Sequence, residues 1–234
     1  MTELVWDGCV NVRDVGGIVR ADNVRFLSDE GWQALVDHGV SRVIDLRFPV
    51  ELEEDTPRDA PVDVVHIPLL GEGHAADFDD EFGEVMDRTP TAEEYLVHVY
   101  TEFLARYPER FARVFEAIAS APDGPVVVHC YGGKDRTGLV VALALRLAGE
   151  SLDEIAADYA RTEANIAERH ARWVADAPDE RERHRRELLG PAPASAMRRV
   201  LEGVEGRYGS VEDYLRGGGL SDAAIVSVRK RLQD

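Results

Sequence analysis

Lysine is nearly missing from this sequence. Of its 27 basic side chains only Lys134 and Lys230 are lysines, so a lysine inside a loop stands out against an arginine background. Cysteine is as scarce: Cys9 and Cys130 are the whole supply, too few for a disulfide scaffold. Long apolar runs are absent too. The longest, Leu139 to Leu145, has seven residues, against about 20 for a membrane span. Met1 to Asn11 has neither the basic start nor the apolar run of a secretory leader. Basic charge is short overall, 27 positive against 45 negative side chains for a net −18. Such a field repels nucleic acid and anionic membranes, and an anionic substrate would need a local positive pocket. The expectation is a reduced, cytoplasmic protein with no nucleic-acid partner and no integral membrane segment; export by an unconventional route stays open.

What is present fits one α/β domain over residues 1–234, with 44% hydrophobic residues to build a core. Ser41–Leu46, Val62–Ile67 and Pro125–His129 are short β-branched runs that read as strands. Helical patterns separate them, which predicts a mainly parallel central sheet flanked by helices. Thr91/Glu94 and Ser151/Glu154 have the spacing of capping boxes, Pro108 suits a first helical turn, and Ser28, Ser210 and Ser221 are candidate N-caps. Thr137–Leu147 is apolar all round and predicts a buried helix. From Ile155 the chain reads as helical almost to its end. Residues 168–187 carry dense charge, either as a solvated helix face or as part of a helical cover over 165–205. Residues 71–90 read as a surface loop with a short helix near Phe82–Met86.

The chemistry gathers at Val126–Gly138. A valine strand runs into Cys130, then a glycine-bearing loop, then Arg136 at the start of the buried helix. Gly132 and Gly133 let the backbone curl its N–H groups inward, and the helix N-terminus points its dipole at the same spot. The result is a cradle sized for a phosphate. Arg136 has a planar fork for two phosphate oxygens. A helix N-terminus with nearby cations is the setting that makes cysteine a thiolate nucleophile. Attack on phosphorus would form a phosphocysteine that water hydrolyses. Nothing in the spacing of His, Cys, Asp and Glu calls for a metal or cofactor. Cys9 has no such surroundings and reads as structural.

His129-Cys130-Tyr131-Gly132-Gly133-Lys134-Asp135-Arg136-Thr137-Gly138 resembles the signature of the cysteine-dependent protein tyrosine phosphatases. It is closest in pattern to the bacterial branch that overlaps tyrosine, serine/threonine and phosphoinositide phosphatases. Asn11-Val-Arg13-Asp14-Val-Gly16-Gly17, Asp45-Leu46-Arg47 and Tyr208-Gly209-Ser210 resemble further elements of that branch, so the likeness spans most of the chain.

The resemblance implies a phosphatase-like fold with a helical C-terminal half and a metal-independent phosphatase. Its substrates would be phosphotyrosine-type esters, with phosphoserine/threonine and phosphoinositides as extensions and phosphate as product. It implies Cys130 as nucleophile and Arg136 as phosphate grip, with Tyr131, Gly132, Gly133, Lys134, Thr137 and Gly138 binding substrate. His129 would order the loop, and Thr137 could donate to the sulfur as it leaves phosphorus. Asp135, next to Arg136, is the candidate acid for the departing oxygen, since like charge from a phosphate favours a protonated carboxyl. Asp77, Asp79 and Asp80 are rival acids. Asp45 would brace Arg136 or Arg13. Asn11, Arg13, Asp14, Gly16 and Gly17 would form a polar turn beside the loop. Lys134 would either meet additional substrate phosphates or lie in solvent. Two other readings are a rhodanese-like sulfurtransferase, whose loop usually lacks the Arg-Thr-Gly ending, and a phosphate-binding module with little catalysis.

Overall fold

The computed structural model describes residues 1–53, 55, 59–73, 82–86 and 88–233. Its strands are β1 (Thr2–Glu3), β2 (Arg13–Asp14), β3 (Ile18–Ala21), β4 (Arg42–Asp45), β5 (Asp63–His66) and β6 (Val126–His129). They form one sheet in the order β1-β2-β3-β6-β4-β5. The four strands from β3 to β5 run parallel, and β1 and β2 add an antiparallel margin. The expected parallel sheet is therefore present, with three strands that the apolar pattern did not reveal.

The pleat sorts alternate residues to opposite faces. Ile18, Ile44, Val126 and Val128 enter the larger core, while Val19, Val43 and Val127 enter a smaller one with Trp32 and Leu35 of α1 (Asp29–Asp37). After the short α2 (Val50–Glu53), the helices are α3 (Ala92–Arg106), α4 (Pro108–Ala119), α5 (Asp135–Ala148), α6 (Leu152–Ala175), α7 (Glu180–Leu189), α8 (Ala194–Tyr208), α9 (Val211–Gly217) and α10 (Asp222–Arg231). Residues 82–86 are helical as well.

Capping chemistry sets these boundaries. Ser28, Ser210 and Ser221 each accept a backbone N–H three residues on, and Pro108 opens α4. Ser151 and Glu154 close a full capping box. At Thr91 only the forward half forms, and the Glu94 carboxylate takes the Thr91 hydroxyl instead. Helix α5 is buried along nearly its whole length, and it packs against β3, β6, α6 and α10. Burial of this kind stabilises by about 1.5–3 kcal/mol for each large apolar side chain. It also fixes where the N-terminus of α5 points. Among the described residues no helix is long and apolar enough to cross a membrane.

Candidate active site

Strand β6 ends at His129, and α5 begins at Asp135 with Lys134 as its N-cap. The turn between them carries Cys130, which is 2% exposed. Only one of the two glycines is required. Gly133 has φ +65°, and a Cβ there would lie 2.6 Å from the Ala21 carbonyl oxygen and 2.7 Å from the Asp22 nitrogen. Gly132 has no left-handed φ and open space around it, so the expectation that both glycines shape the curl is corrected. Gly138 instead permits close helix packing, since a Cβ would sit 3.1 Å from the Tyr159 ring.

The turn is held from below. The Gly133 carbonyl accepts from Asn11 Nδ2 at 3.1 Å and from Arg20 at 2.8 Å. The Tyr131 carbonyl accepts from the Asn23 amide at 3.0 Å. Arg20 and Arg13 both bind Asp158 of α6, at 2.5 and 2.9 Å, and both reach the Thr162 hydroxyl. Arg13 therefore supports the loop at one remove. Asp14, Gly16 and Gly17 do not lie beside it. Asp14 accepts from the Gly16 and Gly17 amides and meets His38, and the Gly17 carbonyl accepts from Val126, at the far end of β6 from Cys130.

Arg136 is gripped by a residue the sequence did not single out. Its two terminal nitrogens bond Glu51 of α2 at 2.5 and 2.9 Å, and its guanidinium lies 5.0 Å from the Phe48 ring centre. Burial would raise the Glu51 carboxyl, but Arg136 more than offsets this and holds it low. Asp45 braces neither Arg136 nor Arg13. It binds Arg47, with contacts from 2.8 to 3.1 Å. Burial opposes ionisation of Asp45, yet the neighbouring His129 and Arg47 hold its pKa at about 2.

The parallel register explains why His129 meets Asp45. The two are paired across β6 and β4, leaving Nε2 3.6 Å from the Asp45 carboxylate with no hydrogen bond. Nδ1 donates to the Cys130 carbonyl at 3.2 Å, not to the sulfur. Burial pushes this imidazole down against the pull of Asp45, so the ring is neutral at pH 7. The Thr137 hydroxyl is buried and makes no hydrogen bond.

Asp135 stands 46% exposed at the mouth of the loop. Its Oδ1 accepts from the Tyr100 hydroxyl at 2.5 Å, and Tyr100 in turn meets the Tyr159 hydroxyl at 2.8 Å. Burial and the Asp135 charge push the Tyr100 phenol well up, so it stays a donor. Lys134 is buried, not in solvent. Its ammonium donates to the carbonyl of Leu189, the last residue of α7, and to that of Pro191 just beyond it, and lies 3.5 Å from Asp135 Oδ1.

Cys130, Asp135 and Arg136 share the wall of one cavity of about 830 Å³. Ile166, Arg169, His170 and Trp173 of α6 and Arg185 of α7 also line it. Asp77, Asp79 and Asp80 lie outside the described residues. Glu51, Tyr100, Arg20 and Asp158 escaped the sequence reading because each acts across a long separation. The only local hint was that Glu51 follows Asp45-Leu46-Arg47 within one turn.

The model of the tyrosine phosphatase family matches residues 4–234. A tyrosine-protein phosphatase of Nostoc commune is 31% identical over 229 residues, 92% of this chain and 73% of its own. The triple specificity protein phosphatase PtpB of Mycobacterium tuberculosis is 28% identical over 267 residues, 95% of this chain and 96% of its own.

Proposed function

Because the chain belongs to the tyrosine phosphatase family, we propose that it hydrolyses phosphotyrosine-type phosphomonoesters at Cys130. The Cys130 sulfur attacks phosphorus as the bond to the leaving oxygen breaks. Asp135 gives that oxygen its proton, and an S–P bond replaces the O–P bond. Water, giving its proton back to Asp135, then attacks phosphorus and frees the thiolate and inorganic phosphate. Arg136 and the N-terminal amides of α5 hold the phosphoryl oxygens. Glu51 takes one N–H from each terminal nitrogen of Arg136, which leaves three of its five donors for phosphate.

The observation that carries this reading is the convergence of Cys130, Asp135 and Arg136 on one cavity wall at the start of α5. Tyr100 serves as a positioning residue for the acid. With Oδ1 held by the phenol, Oδ2 is the oxygen that carries the transferable proton. Asp77, Asp79 and Asp80 remain the rival acids. His129, Asp45 and Arg13 support the loop, and Tyr131, Gly132, Gly133 and Thr137 contact substrate; Gly138, whose amide bonds the Lys134 carbonyl, serves by packing and not by contact.

The whole of residues 1–234 acts as one phosphatase domain, with 165–205 as a helical cover. Its anchors are the Lys134 bonds to Leu189 and Pro191. While these bonds hold, Lys134 is turned from any second substrate phosphate, so its use on a phosphoinositide with further ring phosphates requires the cover to move. Phosphoserine and phosphothreonine, with a single phosphate, make no such demand and extend the same chemistry. The name of the mycobacterial relative supports such breadth. The net −18 disfavours nucleic-acid partners, and the scarcity of cysteine fits a reduced, cytoplasmic setting.

The test is Cys130→Ser assayed with p-nitrophenyl phosphate in chelator. Turnover should vanish while circular dichroism is unchanged. Retention of more than about 1% of the rate would rule out cysteine catalysis, because losing such a nucleophile removes several orders of magnitude. Asp135→Asn should lose far more rate on phenyl phosphate than on p-nitrophenyl phosphate; equal losses would move the acid elsewhere.

A further inference from the structure

We infer that the cavity beside the loop receives an apolar leaving group, so that the preferred substrates are small phosphomonoesters whose aryl or alkyl body extends well beyond one ring. This rests on the phosphatase reading and specifies its substrate class.

The cavity wall combines charged groups with hydrocarbon. Cys130, Asp135 and Arg136 line it together with Leu70, Phe82, Leu96, Val99 and Phe103, and the two arginines from the helical segment, Arg169 and Arg185, are each paired with a carboxylate. The acid and the hydrocarbon meet on helix α3. Leu96, Val99, Tyr100 and Phe103 follow the i, i+3, i+4, i+7 spacing of one helix face. Tyr100 sets its hydroxyl on Asp135, and its three neighbours on that face continue the lining as bare carbon. The apolar wall therefore starts at the acid. An ester oxygen protonated by Asp135 must be close to that carboxyl, so the group attached to it faces this wall.

Size and charge point the same way. A cavity of about 830 Å³ lies within the roughly 300–1,000 Å³ range that takes whole drug-sized ligands, and one phenyl ring fills little of it. Hydrocarbon walls offer water few partners, so an apolar body gains from displacing it. The net charge of −18 works against acidic phosphopeptides at long range, but not against an uncharged tail.

The experiment is a series of 4-alkylphenyl phosphates, from phenyl to 4-octylphenyl, kept below their micelle concentrations. A para-alkyl chain hardly changes the acidity of the phenol, so the series reads the pocket and not the chemistry. A fully buried methylene gives at most about a fourfold gain. We expect kcat/KM to rise at least tenfold between phenyl and 4-butylphenyl phosphate. Val99→Trp, which fills the apolar part of the pocket, should flatten the series, bringing the ratio of kcat/KM between 4-butylphenyl and phenyl phosphate to within about twofold of one. Should that variant not fold, alkylphosphonates on the natural protein give the same reading: Ki should fall from methyl to hexyl. A flat series, flat Ki values, or chain-length preference surviving in folded Val99→Trp would overturn the inference. So would a phosphotyrosine peptide turned over more efficiently than every member of the series. If neither phenyl nor p-nitrophenyl phosphate is hydrolysed, the phosphatase reading itself has failed, and this inference falls with it.

Discussion

Asp158 and Glu182 each bridge two arginines. Asp158 receives Arg13 at 2.9 Å and Arg20 at 2.5 Å, partners 145 and 138 residues away, with side chains no more than 1% exposed. Glu182 receives Arg185 and Arg186, both at 2.7 Å, three and four residues along α7, with its own side chain 22% exposed. Both carboxyls are held below their usual range. At Asp158 burial opposes this and Arg20 and Arg13 overcome it; at Glu182 the Arg185 and Arg186 bonds hold the pKa at about 2. The bonds are alike, but the work is different. The buried cluster joins the N-terminal strands to α6 and extends through Arg20 to the Gly133 carbonyl, so it carries the Cys130 turn. The half-buried one lies within α7, with Arg186 also reaching the Trp173 carbonyl of α6. Low dielectric makes the first pair of contacts strong and makes losing a partner expensive, whereas water screens the second.

The comparison breaks most visibly at Asp158. Asp158→Asn leaves two buried guanidiniums without their counter-charge, and it should lower unfolding stability by about 3–5 kcal/mol in urea titration. It should also reduce kcat/KM, because Arg20 no longer holds Gly133 in place. A loss below about 1 kcal/mol would mean that water or another carboxylate already compensates the pair.

Arg136 with Glu51 lies between the two extremes, at 12% and 15% exposed. Arg136→Lys keeps the charge but loses the planar fork that meets Glu51 and phosphate together. We expect at least about a hundredfold loss in kcat/KM, equivalent to about 2.7 kcal/mol of transition-state stabilisation. Steady-state kinetics on phenyl phosphate reads this directly, and a near-native rate would show that charge alone suffices.

Acid sharpens the contrast through Asp45, another buried carboxylate. Its pKa is depressed from 3.8 to about 2. A carboxyl lowered by folding adds stability above its unfolded pKa, and that stability is lost as pH falls through the folded value. The contribution is about 2 kcal/mol, complete above pH 5 and about half gone at pH 3. The stability difference between the natural protein and Asp45→Asn should therefore shrink by roughly 1 kcal/mol between pH 5 and pH 3. A constant difference would show that Asp45 acts by shape and not by charge.

These carboxylates also mark how far sequence carries. Local signals were legible: Ser28, Ser151, Ser210 and Ser221 cap the helices their spacing indicates. The valine strand, Cys130 turn and buried α5 lie where the pattern of residues 126–147 puts them. Strand β3 was hidden because Arg20, a charge, sits mid-strand in an inward position that Asp158, with the Gly133 carbonyl and the Thr162 hydroxyl, makes tolerable. Strands β1 and β2 are two residues each, too short for an alternation. Glu51 looks like its neighbours in Glu51-Leu-Glu-Glu-Asp55, and only the fold sets it against Arg136. Lys134 stands out in the sequence, but the direction of its ammonium depends on carbonyls 55 and 57 residues downstream.

The smallest effect belongs to Glu182, and it tests whether the comparison is about burial at all. Glu182→Gln keeps the size of the side chain and the capacity to accept one hydrogen bond. It removes the charge that Arg185 and Arg186 share. Exposed pairs at helical spacing stabilise by about 0.3–0.5 kcal/mol each, and less in salt. The total loss should therefore stay within about 1 kcal/mol at low ionic strength and fall toward zero in 1 M salt, where the screening length is about 3 Å. Arg185 also lines the cavity, so phenyl phosphate kinetics on the same variant reports whether loosening α7 reaches the reacting groups. Because Lys134 ties the loop to the C-terminal end of α7 and the chain just after it, and not to Glu182 itself, kcat/KM should change less than about twofold. A stability loss matching that of Asp158→Asn would show that α7 is coupled to the core as tightly as α6. Exposure would then be a poor guide to which arginine bridge matters.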